Sequence, residues 1–173
     1  GEMLHAPGRP APRARMMAGR PPRAMTRAGS DSGGGAGIEA ARKPVAALGV
    51  WGTGAIRAIT AKNTGVVGGV APLPPAMSAA QMRTVLDDIR VDAVKIGMVG
   101  DDAAILAVAG ALPELPVVPD PVMVAKSGDM LLQDGAVGAL IAHRLPRATV
   151  PTPHLPATPR LTGLPLSPPA ARL

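Results

Sequence analysis

From about Gly29 onward, short apolar runs alternate with stretches whose apolar spacing is that of an amphipathic helix. Residues 93–98 and 116–120 are two such runs. Ser78 and Gln81, spaced as in a capping box, precede the clearest helical stripe. The stripe has apolar residues at i, i+3, i+4 and i+7, namely Met82, Val85, Leu86 and Ile89. This alternation is typical of βαβ units and predicts a doubly wound α/β fold with a mostly parallel sheet.

Three residues conflict with the elements in which they fall. Pro44 lies in a predicted helix over residues 38–48. A proline there costs roughly 3 kcal/mol, so we expect the helix to kink or to begin late. Arg57 interrupts a predicted strand over residues 52–60. Pro119 cannot donate a ladder hydrogen bond from the second of the two apolar runs.

Proline and charge both divide the chain into three sections. Thirteen of the 21 prolines lie in residues 1–27 and 135–173. These two ends carry net charges of +5 and +4, and because the whole chain carries +6, the section between them carries −3. We therefore predict a disordered Pro/Arg-rich extension over residues 1–27, one α/β domain over residues 28–150 and an irregular Pro-rich tail over residues 151–173.

Composition argues against several classes of protein. A mildly acidic middle section with a single Trp as its only aromatic residue does not fit a specific nucleic-acid module. The absence of cysteine removes disulfides and thiolate metal sites and leaves the redox compartment open, so the cytoplasm is the default location by elimination. No apolar run reaches about 18 residues, so we expect no membrane span. A homo-oligomer is compatible with the sequence.

A glycine-rich turn at residues 29–37 precedes the first predicted helix. Consecutive glycines let backbone N–H groups approach a ligand, and the positive end of a helix dipole suits an anion or a polar ring. The turn lacks the Lys of a P-loop and the glycine spacing of a dinucleotide-binding turn. By itself it is equally well explained as a flexible turn.

Four motifs occur in a fixed order: GSDSGGGAGI at residues 29–38, ALGVWGT at 47–53, KIGM at 95–98 and DPVMVAKSGD at 120–129. In this order and at these spacings they resemble the hydroxymethylpyrimidine/phosphomethylpyrimidine kinases of thiamine biosynthesis, which belong to the ribokinase-like superfamily. The resemblance runs from residue 25 to residue 163. It implies a three-layer, doubly wound ribokinase-like fold that is incomplete at the C-terminus, with ligands bound at the carboxyl ends of the strands.

The resemblance also implies a reaction and a site. ATP with Mg²⁺ would phosphorylate 4-amino-5-hydroxymethyl-2-methylpyrimidine or its monophosphate. Gly29, Met98 and Val122 match positions that line the family's pyrimidine pocket, and Asp120 matches a carboxylate on the phosphate and metal side. Outside the shared motifs, the same residues would be interpreted as a turn, two core positions and a strand-end cap.

The sequence departs from the family at several of its polar positions. Ala41 stands where the family has an Asp that binds the aminopyrimidine, and Lys62 stands where it has a Gln that reads the ring. Losing both should abolish the selectivity for the pyrimidine ring. In TPHLPAT, His154 and Ala157 replace an Asn and a Glu that help to hold Mg²⁺, so we leave the metal ligands unassigned. We interpret His154 as a solvated side chain.

The sequence leaves three hypotheses open. The first is an ATP-dependent kinase of this family, for which we assign no catalytic residue because the family's catalytic region lies beyond the resemblance. The second is a non-catalytic remnant, truncated or degenerate, that keeps at most weak pyrimidine binding. The third is attachment to nucleic acid through the Arg-rich ends, which would weaken steeply with salt.

Overall fold

The computed structural model describes residues 19–97, 102–112, 114–120, 148–154 and 157–164. Its strands are β1 Arg23–Ala28, β2 Trp51–Ile56, β3 Ala58–Lys62, β4 Val67–Pro72, β5 Ala93–Ile96 and β6 Val117–Pro119. Its helices are α1 Gly37–Ala47, α2 Pro75–Asp88, α3 Asp102–Ala111 and α4 Thr158–Thr162. None of the helices in these ranges has the length and hydropathy to cross a bilayer.

A parallel sheet organises the described part of the chain. Its strand order is β2-β1-β5-β6, and every pairing in it is parallel. The strands β3 and β4 form a separate antiparallel hairpin. Parallel strands need crossover connections, which α1, α2 and α3 supply here. The predicted α/β fold with a mostly parallel sheet is therefore confirmed.

The core is built from aliphatic and methionine side chains. Among the described side chains larger than alanine, six of these have no exposed surface: Met25, Met82, Val94, Ile96, Ile105 and Val108. Burying each contributes roughly 1.5–3 kcal/mol, and flexible Met side chains fill gaps that rigid aromatic rings would otherwise occupy. The predicted stripe on α2 is also confirmed, because the three residues that follow Met82 in it pack against this core.

The predicted boundary at residue 27 is wrong. Strand β1 begins at Arg23 and pairs with both β2 and β5, which makes it an inner strand of the sheet. Asp92 holds its start, because its carboxylate accepts a hydrogen bond from Arg23 N at 2.8 Å and pairs with Arg20 at 3.1 Å. An Arg-rich composition concealed this strand. Residues 1–18 of the predicted extension lie outside the described residues.

Part of the predicted tail over residues 151–173 packs against the sheet. Thr152 N donates to Pro119 O at 2.9 Å, so the chain there runs beside β6. Ala157 is buried in the core, directly before the short helix α4. Packing against the sheet thus orders a segment whose prolines predicted an irregular tail. Residues 165–173 lie outside the described residues.

Arg27 enters the sheet although it is charged. Its side chain is only 1% exposed, and Nε donates to Ser78 Oγ at 3.1 Å. Ser78 lies inside α2, which begins at Pro75, so it is not the N-cap of this helix and the predicted capping box is wrong. Pro75 starts the helix three residues earlier, as a proline at the first helical position commonly does. Gln81 instead binds the backbone of Ile56, accepting at 3.0 Å and donating at 2.9 Å.

The three conflicting residues are accommodated in different ways. Pro44 lies inside a continuous α1 that begins at Gly37, so the expected late start is wrong. Arg57 separates β2 from β3, which belong to different sheets, so the predicted single strand is divided at that residue. Pro119 leaves the pairing with β5 intact, because Asp120 N donates to Ile96 O and Pro116 O accepts from Val94 N.

Glycines let α1 approach the sheet and the preceding turn. A Cβ on Gly54 would lie 3.2 Å from the side chain of Ile38 on α1. Gly37, the first residue of α1, has φ +60°, and a Cβ there would overlap the carbonyl oxygen of Gly29. That oxygen accepts the hydrogen bond of Ile38 N at 3.0 Å, so it cannot move away cheaply. The close approach therefore requires glycine at position 37.

We expect Gly37→Ala to destabilise the protein more than Gly49→Ala. Both residues have positive φ, which costs a side chain about 1–2 kcal/mol, but no atom lies within 4 Å of a Cβ on Gly49. The overlap at Gly37 should add roughly 1–3 kcal/mol to the loss in the free energy of unfolding. Urea denaturation of both variants measures the difference. Equal losses would show that the backbone of the turn can shift to accommodate the added Cβ without a measurable cost in stability.

Candidate functional site

The glycine turn at residues 29–36 connects β1 to α1 at the carboxyl end of the sheet. Open parallel sheets bind ligands at this edge. The hairpin β3–β4 flanks the turn, since Ser30 N donates to Ala58 O at 2.9 Å. Asp120 directly follows β6 and so lies on the same edge of the sheet. The edge therefore carries the turn, the hairpin and a carboxylate.

Asp31 is the buried polar centre of the turn. Its side chain is 4% exposed, and Oδ1 accepts a hydrogen bond from Gly33 N at 2.9 Å. Oδ2 lies 3.4 Å from the ammonium nitrogen of Lys62 on β3. The backbone of Ala36, the N-cap residue of α1, also acts to lower the pKa of this carboxylate. The carboxylate of Asp31 thus places a negative charge close to the start of α1.

The surroundings of Asp31 act on its pKa in opposite directions. Burial of the carboxylate works to raise the pKa. The hydrogen bond from Gly33 and the hydrogen bond and charge of Lys62 work to lower it, and together with the backbone of Ala36 they prevail. The pKa of Asp31 is therefore below its usual value, and the carboxylate is ionised at neutral pH.

Further hydrogen bonds fix the shape of the turn. Asp31 N donates to Glu39 Oε2 at 2.7 Å, which ties the turn to the first turn of α1. Gly34 N donates to Asp31 O at 2.8 Å. Lys43, further along α1, donates from Nζ to Gly34 O at 2.7 Å. These hydrogen bonds argue against the flexible-turn alternative.

The hairpin is joined to the turn by two serines. Ser30 Oγ accepts from Thr60 N at 2.9 Å, while Ser30 O accepts from Thr60 Oγ1 at 2.8 Å. Ser32 Oγ accepts from Lys62 N at 2.7 Å and donates to Lys62 O at 2.5 Å. A β-bulge between Ala61 and Lys62 shifts the register of the hairpin there. Such bulges re-aim side chains, and Lys62 reaches Asp31.

The structure places some of the predicted ligand-binding residues together. Gly29 and Lys62 both lie at the turn and hairpin, and the side chain of Lys62 is one-third exposed. Ala41, which replaces the family's Asp, is on α1 and offers no polar group. Met98 and Val122 lie outside the described residues, so their pocket roles stay predictions.

Asp120 lies between two basic side chains on the other part of this edge. Its Oδ2 is 3.5 Å from Lys95 Nζ, and its Oδ1 is 3.6 Å from His154 Nε2. We call these three residues the Asp120 cluster. Oδ1 is buried and accepts no hydrogen bond from the described residues. The His154 side chain is 68% exposed, as expected of a solvated residue, but it is directed at a carboxylate.

Asp31 was not among the residues predicted from the sequence. An Asp whose side chain accepts the N–H two residues later forms an Asx turn, and Asp31 with Gly33 fits that pattern. This local signal could have identified the turn as a rigid one. The partnership with Lys62 has no local signal, because it depends on how the hairpin packs.

A family model described as phosphomethylpyrimidine kinase matches residues 31–171. The hydroxymethylpyrimidine/phosphomethylpyrimidine kinase of Rhizobium meliloti is 50% identical over 142 residues, covering 81% of this chain and 53% of that protein. The Escherichia coli K12 protein of the same name is 43% identical over 145 residues, covering 82% and 54%. The chain thus spans about half the length of these relatives.

Two solved structures extend the comparison to the fold. The phosphomethylpyrimidine kinase of Clostridium difficile 630 superposes with a TM-score of 0.77 at 41% identity, covering 84% of this chain and 64% of that one. The pyridoxal kinase of Staphylococcus aureus in complex with pyridoxal gives 0.73 at 35% identity, covering 84% and 53%. Both likenesses exceed what a shared fold class alone would produce.

We expect Asp31→Asn to destabilise the protein at neutral pH and to lose this effect in acid. The substitution removes the charge that Lys62 pairs with but keeps an oxygen that can accept from Gly33 N. Because the pKa is lowered in the folded state, the stabilisation is present above the ordinary value of 3.8 and is lost as the pH falls through the folded-state value.

Urea denaturation from neutral pH to about pH 2 measures this difference. Asp87→Asn, at an exposed position of α2, is the matched control. A stability gap between wild type and Asp31→Asn that stays constant over the whole range would contradict the electrostatic role of Asp31.

Proposed function

Because this chain belongs to the phosphomethylpyrimidine kinase family, we propose that the protein phosphorylates 4-amino-5-hydroxymethyl-2-methylpyrimidine and its monophosphate with ATP. One observation carries the proposal above all. The glycine turn and Asp120 follow β1 and β6 at one carboxyl edge, so a small ring bound at the turn and a nucleotide bound at Asp120 could meet there. A cytoplasmic location and a homo-oligomer stay predictions from the sequence.

The turn and hairpin form the ring-binding part of this proposal. Gly29 presents backbone without a side chain, and Met98 and Val122 would supply apolar walls. Lys62 is the polar side chain that would recognise the pyrimidine ring. Its ammonium group has three donors, of which one is directed to Asp31, so others can bind a ring nitrogen. With Ala41 in place of an acceptor, the exocyclic amine is read poorly, and selectivity for the aminopyrimidine should be low.

Asp120 forms the phosphate and metal part of the proposal. A buried carboxylate oxygen without a hydrogen bond from the described residues is suited to a cation. Magnesium in kinases is commonly held by one or two carboxylates together with the nucleotide phosphates, and Asp120 would hold it here. Bound there, the ion would neutralise charge on the phosphoryl group that is transferred. Lys95, on the opposite oxygen, orients the carboxylate.

We expect the purified chain to transfer phosphate from ATP to the hydroxymethylpyrimidine. Asp120→Asn should lower kcat/KM by roughly 100-fold or more, because it removes charge from the phosphate side. Asp88→Asn, at an exposed position of α2, should leave the rate unchanged. A radiolabelled-ATP assay measures both. No transfer above a no-protein control would refute the proposed activity for this chain.

We also expect the pyrimidine to raise the melting temperature of the protein. Gly29→Leu should abolish the shift by filling the ring site, although a Cβ there meets Ala58 O only at 3.7 Å. Gly110→Leu is the control, since no atom lies within 4 Å of its Cβ. A shift that both variants retain would remove the ring site from the turn. A Gly29-dependent shift without transfer would instead support a non-catalytic binding module.

A further inference from the structure

Many hydrogen-bond acceptors of the glycine turn are already in use. Glu39 Oε2 accepts from Asp31 N, and Asp31 Oδ1 accepts from Gly33 N. Ser30 Oγ accepts from Thr60 N on the hairpin. Four carbonyl oxygens of the turn also accept a hydrogen bond each, namely those of Gly29, Ser30, Asp31 and Gly34. A ligand bound at the turn therefore meets acceptors whose first hydrogen bond is already made.

Lys62 brings spare donors to the same place. Its ammonium group carries three N–H groups and no acceptor. One N–H is directed to Asp31 Oδ2 at 3.4 Å, and because the side chain is one-third exposed, the others can reach a ligand. The backbone N and O of Lys62 are both bound to Ser32 Oγ, which holds this residue beside the turn. Spare hydrogen-bonding capacity at the turn is thus mainly that of a donor.

Asp31 limits the kind of acceptor that Lys62 can bind well. The carboxylate is ionised at neutral pH, so the pair of Asp31 and Lys62 carries no net charge. A negatively charged group on the ligand would be attracted by the ammonium group but repelled by the carboxylate. A neutral oxygen makes the charge-assisted hydrogen bond without this repulsion. The pair therefore favours a carbonyl oxygen over a carboxylate or a phosphate.

We propose that Lys62 determines the ring specificity of this site and makes it prefer a 4-oxopyrimidine to the corresponding 4-aminopyrimidine. An oxygen at position 4 accepts from the ammonium group, whereas an amine there presents further donors to it. An amine that is bound without an acceptor loses its hydrogen bonds to water and gains none in return. The inference rests on the proposed function in placing the ring at the turn. Asp31 acts through Lys62 and is a positioning residue.

A second ammonium group at the turn provides the matched control. Lys43 Nζ donates to Gly34 O at 2.7 Å, whereas the contact of Lys62 with Asp31 is longer, at 3.4 Å. Lys43 is an exposed residue of α1 and is bound to the outside of the turn through a backbone oxygen. Its removal changes the net charge by the same amount as the loss of Lys62. It should not change which ring is preferred.

Isothermal titration calorimetry of the purified chain with 4-amino- and 4-oxo-5-hydroxymethyl-2-methylpyrimidine tests the proposal. We expect the oxo compound to bind about tenfold more tightly than the amino compound. In Lys62→Gln this preference should disappear, because an amide offers an acceptor as well as a donor. Lys62→Arg keeps a cationic donor and should retain the preference. Lys43→Met should leave the ratio of the two affinities within about twofold of the wild-type ratio.

Both Lys62 variants keep a donor for Asp31, and far-ultraviolet circular dichroism checks that they fold. Equal wild-type affinities for the two rings, or a preference that persists in Lys62→Gln, would overturn the inference. If neither ring binds, the ring site of the proposed function fails together with it. A Lys62-dependent preference without phosphoryl transfer from ATP would refute the proposed function alone. Transfer to the amino compound combined with equal affinities would refute the inference alone.

Discussion

The ion pair between Asp31 and Lys62 is the interaction on which the arrangement of the ligand edge depends. A buried carboxylate must be compensated, and here the glycine turn, the start of α1 and strand β3 each contribute to that compensation. The same carboxylate lies close to the start of α1, whose N-cap residue, Ala36, has no side-chain hydrogen bond of its own. One charge thus fixes the relative positions of three elements, and Gly37 lets them come close enough.

The pattern of the sequence predicts the sheet and the α2 stripe because both follow from local apolar spacing. It fails at β1, most of which falls in the segment predicted as a Pro/Arg-rich extension. The long side chain of Arg27 reaches Ser78 on α2 and donates a hydrogen bond to its hydroxyl inside the protein. Such a pairing joins residues far apart in sequence and leaves no local signal. Arg57 was recognised as a conflict, but its solution, a change of sheet, depends on tertiary structure.

The candidate site was predictable in the same uneven way. Resemblance to a family identified Gly29, Lys62 and Asp120, because they lie within or beside its motifs. It did not indicate that Lys62 would be engaged by a neighbouring carboxylate, or that His154 would face Asp120. Both contacts involve residues that differ from the family pattern, Lys62 and His154. The partner of such a residue depends on the tertiary structure and cannot be inferred from the family's motifs. The site of this chain therefore differs chemically from the one that its motifs imply.

The amide of Gln81 has a consequence for the solubility of the protein. It binds both N and O of Ile56, as an adjacent strand would, at the outer side of β2. Exposed strand edges are templates for pairing with other chains, and proteins that leave them open are prone to aggregate. In the described sheet, this single side chain closes the end of β2 to an incoming strand. Addition of a strand to β2 would therefore have to begin nearer to Trp51.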